Sequence, residues 1–433
     1  MTTAHAITGC AIPGTPLAQQ RAGLDACVHC GFCLQACPTY LTLEDENDSP
    51  RGRIVLMRSA YEGSLDVASE SVTTHIDRCL GCRACETACP SGVPYGHLLE
   101  ATRATIAARR PLPRVARVIL ATFEKPALLR LAMLGGRVLR ATGVARLLSR
   151  LPGRAGFAMA MLSSTGHRRT YAIAARGSAP AKANSRGTVA LLTGCVMEGL
   201  FAPTNRASER TLAANDYQLV AAKGQRCCGA LHAHAGDAAG AQRLARENIA
   251  AFEQSGADFI CVNAAGCGAA MKEYAQLLAD DLQWRDRAAA VATKVRDISE
   301  LLAAAGPRPG GVVAARVAYD APCHLLHAQR ISAPPLTVLR AIPGLELVPL
   351  AESEVCCGSA GIYNLVEPET SDLVLRRKLA NIEAAAPGAV ATGNPGCLMQ
   401  IGAGLLRSGS KVSVVHPVDL LDESYAAAAV ERG

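Results

Sequence analysis

The chain has 433 residues, half of them hydrophobic and 19% charged, a length of two or three domains and a composition that excludes disorder. Its first residues lack a basic start leading into an apolar core, and no apolar run reaches about eighteen residues, so neither a secretory signal nor a membrane-spanning helix is expected and the chain is read as cytoplasmic. Eighteen cysteines in a reducing compartment exclude a disulfide framework and point to metal ligation.

In chain order, residues 1–20, with Pro and Gly, read as a loose leader, and 21–100 as a helical unit carrying two cysteine clusters. Between the clusters, Ile54–Tyr61 is predicted as a short helix after a Pro50-Arg51-Gly52-Arg53 turn. Residues 101–187 read as a basic helical connector. Its amphipathic helices carry Val115, Val118, Ile119, Leu128, Leu129, Leu131, Leu134, Val138 and Leu139 and are broken at Pro111, Pro113, Pro126 and Gly135-Gly136. Its tail, 152–187, reads as a linker. From Ala101 to Ala190 there are seventeen Lys and Arg against one acid, Glu124, although the whole chain is only +7. The connector therefore suits an anionic membrane surface, an acidic partner, or a solvated basic face. Nucleic acid is not expected, since aromatic stacking residues are scarce there.

The second half alternates β-type runs, at Thr188–Thr193, Phe259–Val262, Val317–Tyr319 and Ala389–Thr392, with Ala-rich helical stretches. It is also duplicated: Cys195, Cys227, Cys228 and Cys267 recur as Cys323, Cys356, Cys357 and Cys397, at offsets of 128, 129, 129 and 130. Two α/β modules, 188–310 and 311–433, follow from this. The fold class is a helical two-cluster N-terminal domain followed by a duplicated α/β domain.

Cys27-x2-Cys30-x2-Cys33-x3-Cys37-Pro38 and Cys79-x2-Cys82-x2-Cys85-x3-Cys89-Pro90 are the bacterial ferredoxin run, in which the fourth cysteine serves the other cluster. One 4Fe–4S cluster is therefore assigned to Cys27, Cys30, Cys33 and Cys89, and a second to Cys79, Cys82, Cys85 and Cys37. Zinc would use two separated pairs. His29, inside the first run, is read as a bystander. The duplicated set, Cys195, Cys227, Cys228 and Cys267 with Cys323, Cys356, Cys357 and Cys397, reads as one or two further clusters, as redox thiols, or as packed thiols. Cys261 matches no motif and reads as a buried apolar residue. His324 and His327 read as satisfied surface or core histidines, as supports of Cys323, or as a proton-handling pair at a quinone site. No glycine-rich flavin fingerprint follows a strand, so no flavin is placed on this chain.

Ala26-Cys27-Val28-His29-Cys30-Gly31-Phe32-Cys33, Pro50-Arg51-Gly52-Arg53, Cys85-Glu86-Thr87-Ala88-Cys89-Pro90-Ser91-Gly92-Val93, Gly266-Cys267-Gly268 and Cys356-Cys357-Gly358-Ser359-Ala360-Gly361 together resemble the iron–sulfur subunits of bacterial glycolate oxidases. The resemblance covers nearly the whole chain. It implies an electron-transfer component of an acceptor-linked glycolate dehydrogenase that is not itself catalytic. Two FAD-binding subunits would oxidise glycolate to glyoxylate, and electrons would pass towards membrane quinone from the cytoplasmic side of the inner membrane. Lactate-utilisation, glycerol-3-phosphate dehydrogenase and heterodisulfide reductase systems are the alternatives. Heterodisulfide-reductase modules end in Cys-x2-Cys, whereas this chain has Ala264 and Asn394 at the first position of that pair.

Overall fold

The computed structural model describes residues 10–166 and 185–430. Of the expected leader, residues 1–9 lie outside the described residues. The remainder of the leader is not loose. Ile12 and Leu17 are buried in the N-terminal core with Leu24, Met57 and Leu98, and the Leu17 amide donates to Thr105 Oγ1 at 3.1 Å.

The expected turn at Pro50–Arg53 is instead the first turn of a helix, Pro50–Glu62. Proline at the first helical position has its φ already set, and the Ser49 side chain accepts from the Gly52 amide at 3.0 Å, capping the orphan donors. Ile54, Met57 and Ala60 then fall on one buried face. The helix stops at Gly63, whose φ of 81° is the left-handed conformation glycine tolerates.

Helix Tyr95–Arg109 runs across residue 100 without a break. Helices Arg114–Glu124 and Pro126–Ala141 follow, and the second passes straight through Gly135-Gly136, which does not break it. A Cβ on Gly136 would touch Leu162 and Leu200, so the glycine admits close packing rather than ending the helix. The break comes later, at Gly143, where φ is 76°. The linker expected over 152–187 is likewise corrected in its described part. Gly153–Ser164 is a helix whose Ala160 and Met161 bury against Ala403, Met399 and Leu406. Residues 167–184 of that linker lie outside the described residues.

The second half holds two four-stranded parallel sheets. The first has β1 (Thr188–Leu191), β2 (Gln218–Val220), β3 (Phe259–Val262) and β4 (Val295–Asp297) in the order β2-β1-β3-β4. The second has β5 (Ala315–Tyr319), β6 (Leu345–Val348), β7 (Ala389–Ala391) and β8 (Ser413–Val415) in the order β6-β5-β7-β8. The central strands are covered on both faces and so read as apolar runs, whereas the short edge strands β2, β4, β6 and β8 carry no comparable signal. One core joins the modules, with Val189, Leu191 and Cys261 packed in the same cluster as Val317, Ala391 and Val418.

Asp297 ends β4 and caps helix Ile298–Ala305 through a capping box with Glu300. Burial raises its carboxyl from 3.8 to about 6, against the hydrogen bonds from Ser299. The folded chain thus holds this proton more tightly than the unfolded one, so the contribution favours folding at low pH and is lost as pH rises from about 4 to about 6. Asp297→Asn retains a capping oxygen and removes the buried charge. Above about pH 7 the variant is expected to be more stable by about 2–3 kcal/mol, with the slope between those values gone. Chemical denaturation across that range checks both.

Candidate metal centres

The two ferredoxin-type runs fold so that their cysteines surround two adjoining cavities. Cys27, Cys30, Cys33 and Cys89 line one, together with Pro50 and Arg51. Cys37, Cys79, Cys82 and Cys85 line the other, together with Arg53. Cys37 has therefore left its own run for the second group, and Cys89 has left the second run for the first. Cys85, Tyr95 and Pro50 border both cavities, so the two sites share a wall. The turns that deliver these sulfurs use left-handed backbone at His29, Gly31, Gly81 and Arg83.

The two groups differ in surroundings. In the first, Cys30 is exposed and the neighbouring Val28 and Phe32 are 67% and 68% exposed. In the second all four cysteines are buried. Donors reach its sulfurs: Gly81 N to Cys79 Sγ at 3.4 Å, Tyr95 Oη to Cys79 Sγ at 3.6 Å, and Arg53 to Cys37 Sγ at 4.0 Å. Thr39 Oγ1 lies 3.2 Å from Cys37 Sγ. Arg53 is wholly buried, donating also to His75 O at 2.6 Å, Thr39 Oγ1 at 3.1 Å and Asp48 Oδ1 at 3.1 Å. Burial pushes the Cys33 thiol up to about 11 and raises those of Cys82 and Cys85 well above their ordinary value. A metal overrides that preference by displacing the protons.

Both duplicated sets also converge, at the carboxyl ends of the strands, where open parallel sheets bind ligands. Cys195 follows β1, Cys227 and Cys228 follow β2, and Cys267 follows β3; Cys323, Cys356, Cys357 and Cys397 repeat the arrangement after β5, β6 and β7. In the first set, hydrogen bonds from Cys195 and Cys228 hold the Cys227 thiol well below its ordinary value, while the same contacts and burial push Cys195 and Cys228 up. In the second, Cys323 Sγ lies 4.0 Å from Cys356 Sγ. Cys82 of the N-terminal unit shares a buried cluster with Cys323 and Cys356. Asn394, at the position where a further cysteine was lacking, donates to Cys397 Sγ at 3.5 Å and accepts from the Gly266 amide of the other module at 3.2 Å.

His327 is a satisfied core histidine, bonded to Thr87 Oγ1 at 2.9 Å and Glu354 O at 3.1 Å. His324 lies 3.5 Å from Cys323 Sγ and against the His234 ring, and burial lowers it to about 3, so it stays neutral. His29 is exposed beside the first cavity. Cys261 is buried in the inter-module core. Sequence reasoning missed Tyr95 and Lys378 and took Arg53 for a turn residue. A charged or hydroxyl group within an apolar helical face was the signal available. Lys378 is fully buried, 2.9 Å from Asp320.

The 4Fe-4S dicluster domain family matches residues 23–93, and the cysteine-rich (CCG) domain family matches 189–272 and 317–402. A protein of Bacillus subtilis (strain 168) named probable glycolate oxidase iron-sulfur subunit is 37% identical over 92% of this chain and 93% of its own length. The glycolate oxidase iron-sulfur subunit of Escherichia coli (strain K12) is 34% identical over 93% of this chain and 94% of its own. The chain belongs to the glycolate oxidase iron–sulfur subunit family. Lactate utilization protein A of Shouchella clausii is 28% identical, over 54% of this chain and 98% of that protein, a more distant relation. As a member of this family the chain is an iron–sulfur subunit with two 4Fe–4S clusters in its dicluster domain. The residues present fit that cofactor: eight thiols stand in two groups of four, with N–H and O–H donors directed at sulfur.

Proposed function

We propose that the chain relays electrons in an acceptor-linked complex that oxidises glycolate to glyoxylate, in which two FAD-binding subunits carry the substrate chemistry and membrane quinone takes the electrons. Cys27, Cys30, Cys33 and Cys89 hold one cluster, and Cys79, Cys82, Cys85 and Cys37 hold the other. The observation that carries this reading is the exchange of Cys37 and Cys89 between the two cavities, which share a wall. When bound, the clusters supply one-electron transfer, splitting the two-electron output of a flavin into single steps.

The chain's own residues set a direction. The first site meets solvent through Cys30, with Val28 and Phe32 as an apolar rim on which an electron-donating subunit docks. At the second site a buried guanidinium and hydroxyl and amide donors stabilise added negative charge, raising its potential relative to the first. A third cluster belongs in the second cysteine-rich module. There the buried Lys378, paired with Asp320 at 2.9 Å, donates to the Glu352 and Ser353 carbonyls and so fixes the loop that leads into Cys356 and Cys357, whereas the first module has Asn248 at the corresponding position, 130 residues earlier. Iron analysis then gives about twelve irons per chain.

The membrane contact is assigned to the connector. Ten of the sixteen large apolar side chains exposed among the described residues lie between Val115 and Leu151. On helix Pro126–Ala141, Met133, Gly136 and Arg140 face inward to Gly199, Leu162 and Leu200, leaving Leu128, Leu131, Leu134 and Val138 outside. Arg114, Arg117, Lys125, Arg130 and Arg137 are exposed around them. That combination favours an anionic bilayer at the cytoplasmic face of the inner membrane. The chain is expected to sediment with phosphatidylglycerol vesicles, and Leu131→Asp with Leu134→Asp to weaken this at least about tenfold, since each leucine contributes about 1.5–3 kcal/mol when buried.

The reading is tested by reconstitution. The purified, cluster-loaded chain is expected to show no glycolate oxidation until the flavoprotein subunits are added. Glycolate oxidation by this chain alone would overturn it.

A further inference from the structure

A pocket of about 110 Å³ opens beside the second thiol group, and Cys79 forms part of its wall. Leu80, Ile106, Leu112, Leu231 and Ile362 make it mainly apolar. Six polar side chains also line it: Arg103, Arg110, His234, Asp77, Tyr363 and Glu367. Arg103 donates to the carbonyls of Ile76, Cys79 and His234, and so locks the pocket wall to the cysteine loop. Arg110 donates to Thr73. His234 bonds Glu100 through Nδ1 at 3.1 Å, and its Nε2 has no protein partner. The wall continues through Pro113 and Ala116, at the start of helix Arg114–Glu124. From there the exposed Val115 and Val118 lead into the leucine-rich surface of the next helix.

We propose that this pocket binds the headgroup of a quinone that enters from the lipid side along the connector and lies against the Cys79 loop. The proposal rests on the relay reading above and adds the place where electrons leave. A mainly apolar cleft with a few nitrogen donors, a tyrosine hydroxyl at Tyr363 and two carboxyl groups, Asp77 and Glu367, that burial favours in the neutral form fits a planar ring bearing two carbonyl oxygens. A nicotinamide dinucleotide would need a phosphate-binding glycine turn, which the sequence lacks. One quinone takes two electrons, singly, and two protons from water at the open side, giving quinol. The electrons come from the hydroxy acid oxidised on the partner subunits, and the clusters are left oxidised.

The test uses the full, cluster-loaded chain reduced with dithionite and mixed with decylubiquinone, following the visible absorption of the clusters. Ala107 lines the pocket and is only half-buried, so Ala107→Trp fills the space without entering the core, and Leu231→Trp is a second filler. Each is expected to slow reoxidation about tenfold, the change that about 1.4 kcal/mol of lost binding makes, with the cluster EPR signals intact. A photoreactive quinone is expected to label peptides containing 103–116 or 360–367. Unchanged rates in both variants, labelling elsewhere, or labelling displaced equally by phospholipid alone would overturn the pocket. A wild-type chain reoxidised by ferricyanide but not by decylubiquinone would overturn the quinone step of the relay as well.

Discussion

Cys89→Ser is expected to remove the cluster served by Cys27, Cys30 and Cys33 and to leave its neighbour in place. Cys89 is distant in sequence from that run, yet it lines the same cavity, while Cys37 lines the cavity of the second run. Losing one thiolate of four opens a site already exposed at Cys30. Iron should fall by about four per chain, and turnover of the assembled complex should fall by a factor on the order of 100, because the entry point is gone. Cys37→Ser should give the mirror image. EPR of the reduced variants decides the matter: loss of the buried cluster in Cys89→Ser would contradict the crossed ligation.

Arg53→Met is expected to act on stability and on potential together. The guanidinium is wholly buried and satisfies Asp48, Thr39 and the His75 carbonyl while reaching Cys37. Its loss leaves Asp48, itself buried, with Arg78 at 3.0 Å and His75 at 3.2 Å as remaining partners. Breaking a buried pair by removing one member costs about 3–5 kcal/mol. Removing a cation beside the sulfurs also disfavours the reduced cluster, so the midpoint potential of the second cluster should fall while that of the first stays. Arg53→Lys should recover part of the potential and less of the stability, since an ammonium retains the charge and lacks the fork. Equal shifts at both clusters, or none, would contradict the assignment.

The cysteine spacing made the ferredoxin unit and the duplication legible, because metal ligation demands fixed ligand types at fixed intervals. The central strands β1, β3, β5 and β7 were legible for a related reason: strands covered on both faces must be apolar throughout. The edge strands carried no such pattern. Gly135-Gly136 was misread as a break because glycine has two uses, ending helices and letting them approach closely, and only the packing against Leu162 and Leu200 separates these. Gly153–Ser164 looked like linker because small residues suit both a flexible chain and a tight helix contact. The Pro50–Arg53 stretch illustrates the same ambiguity, since proline opens helices as readily as turns. Arg53 and Lys378 were invisible as site residues, because a buried cation differs from a surface one only in what surrounds it.

The relay is tested most directly by rapid mixing of the assembled complex with glycolate in the absence of quinone, followed by freeze-trapping and EPR. The signals of both dicluster centres are expected to appear at least as fast as the complex turns over, and in Cys89→Ser glycolate is expected to leave the buried centre oxidised. Glyoxylate produced at the full rate while both clusters stay oxidised would contradict it.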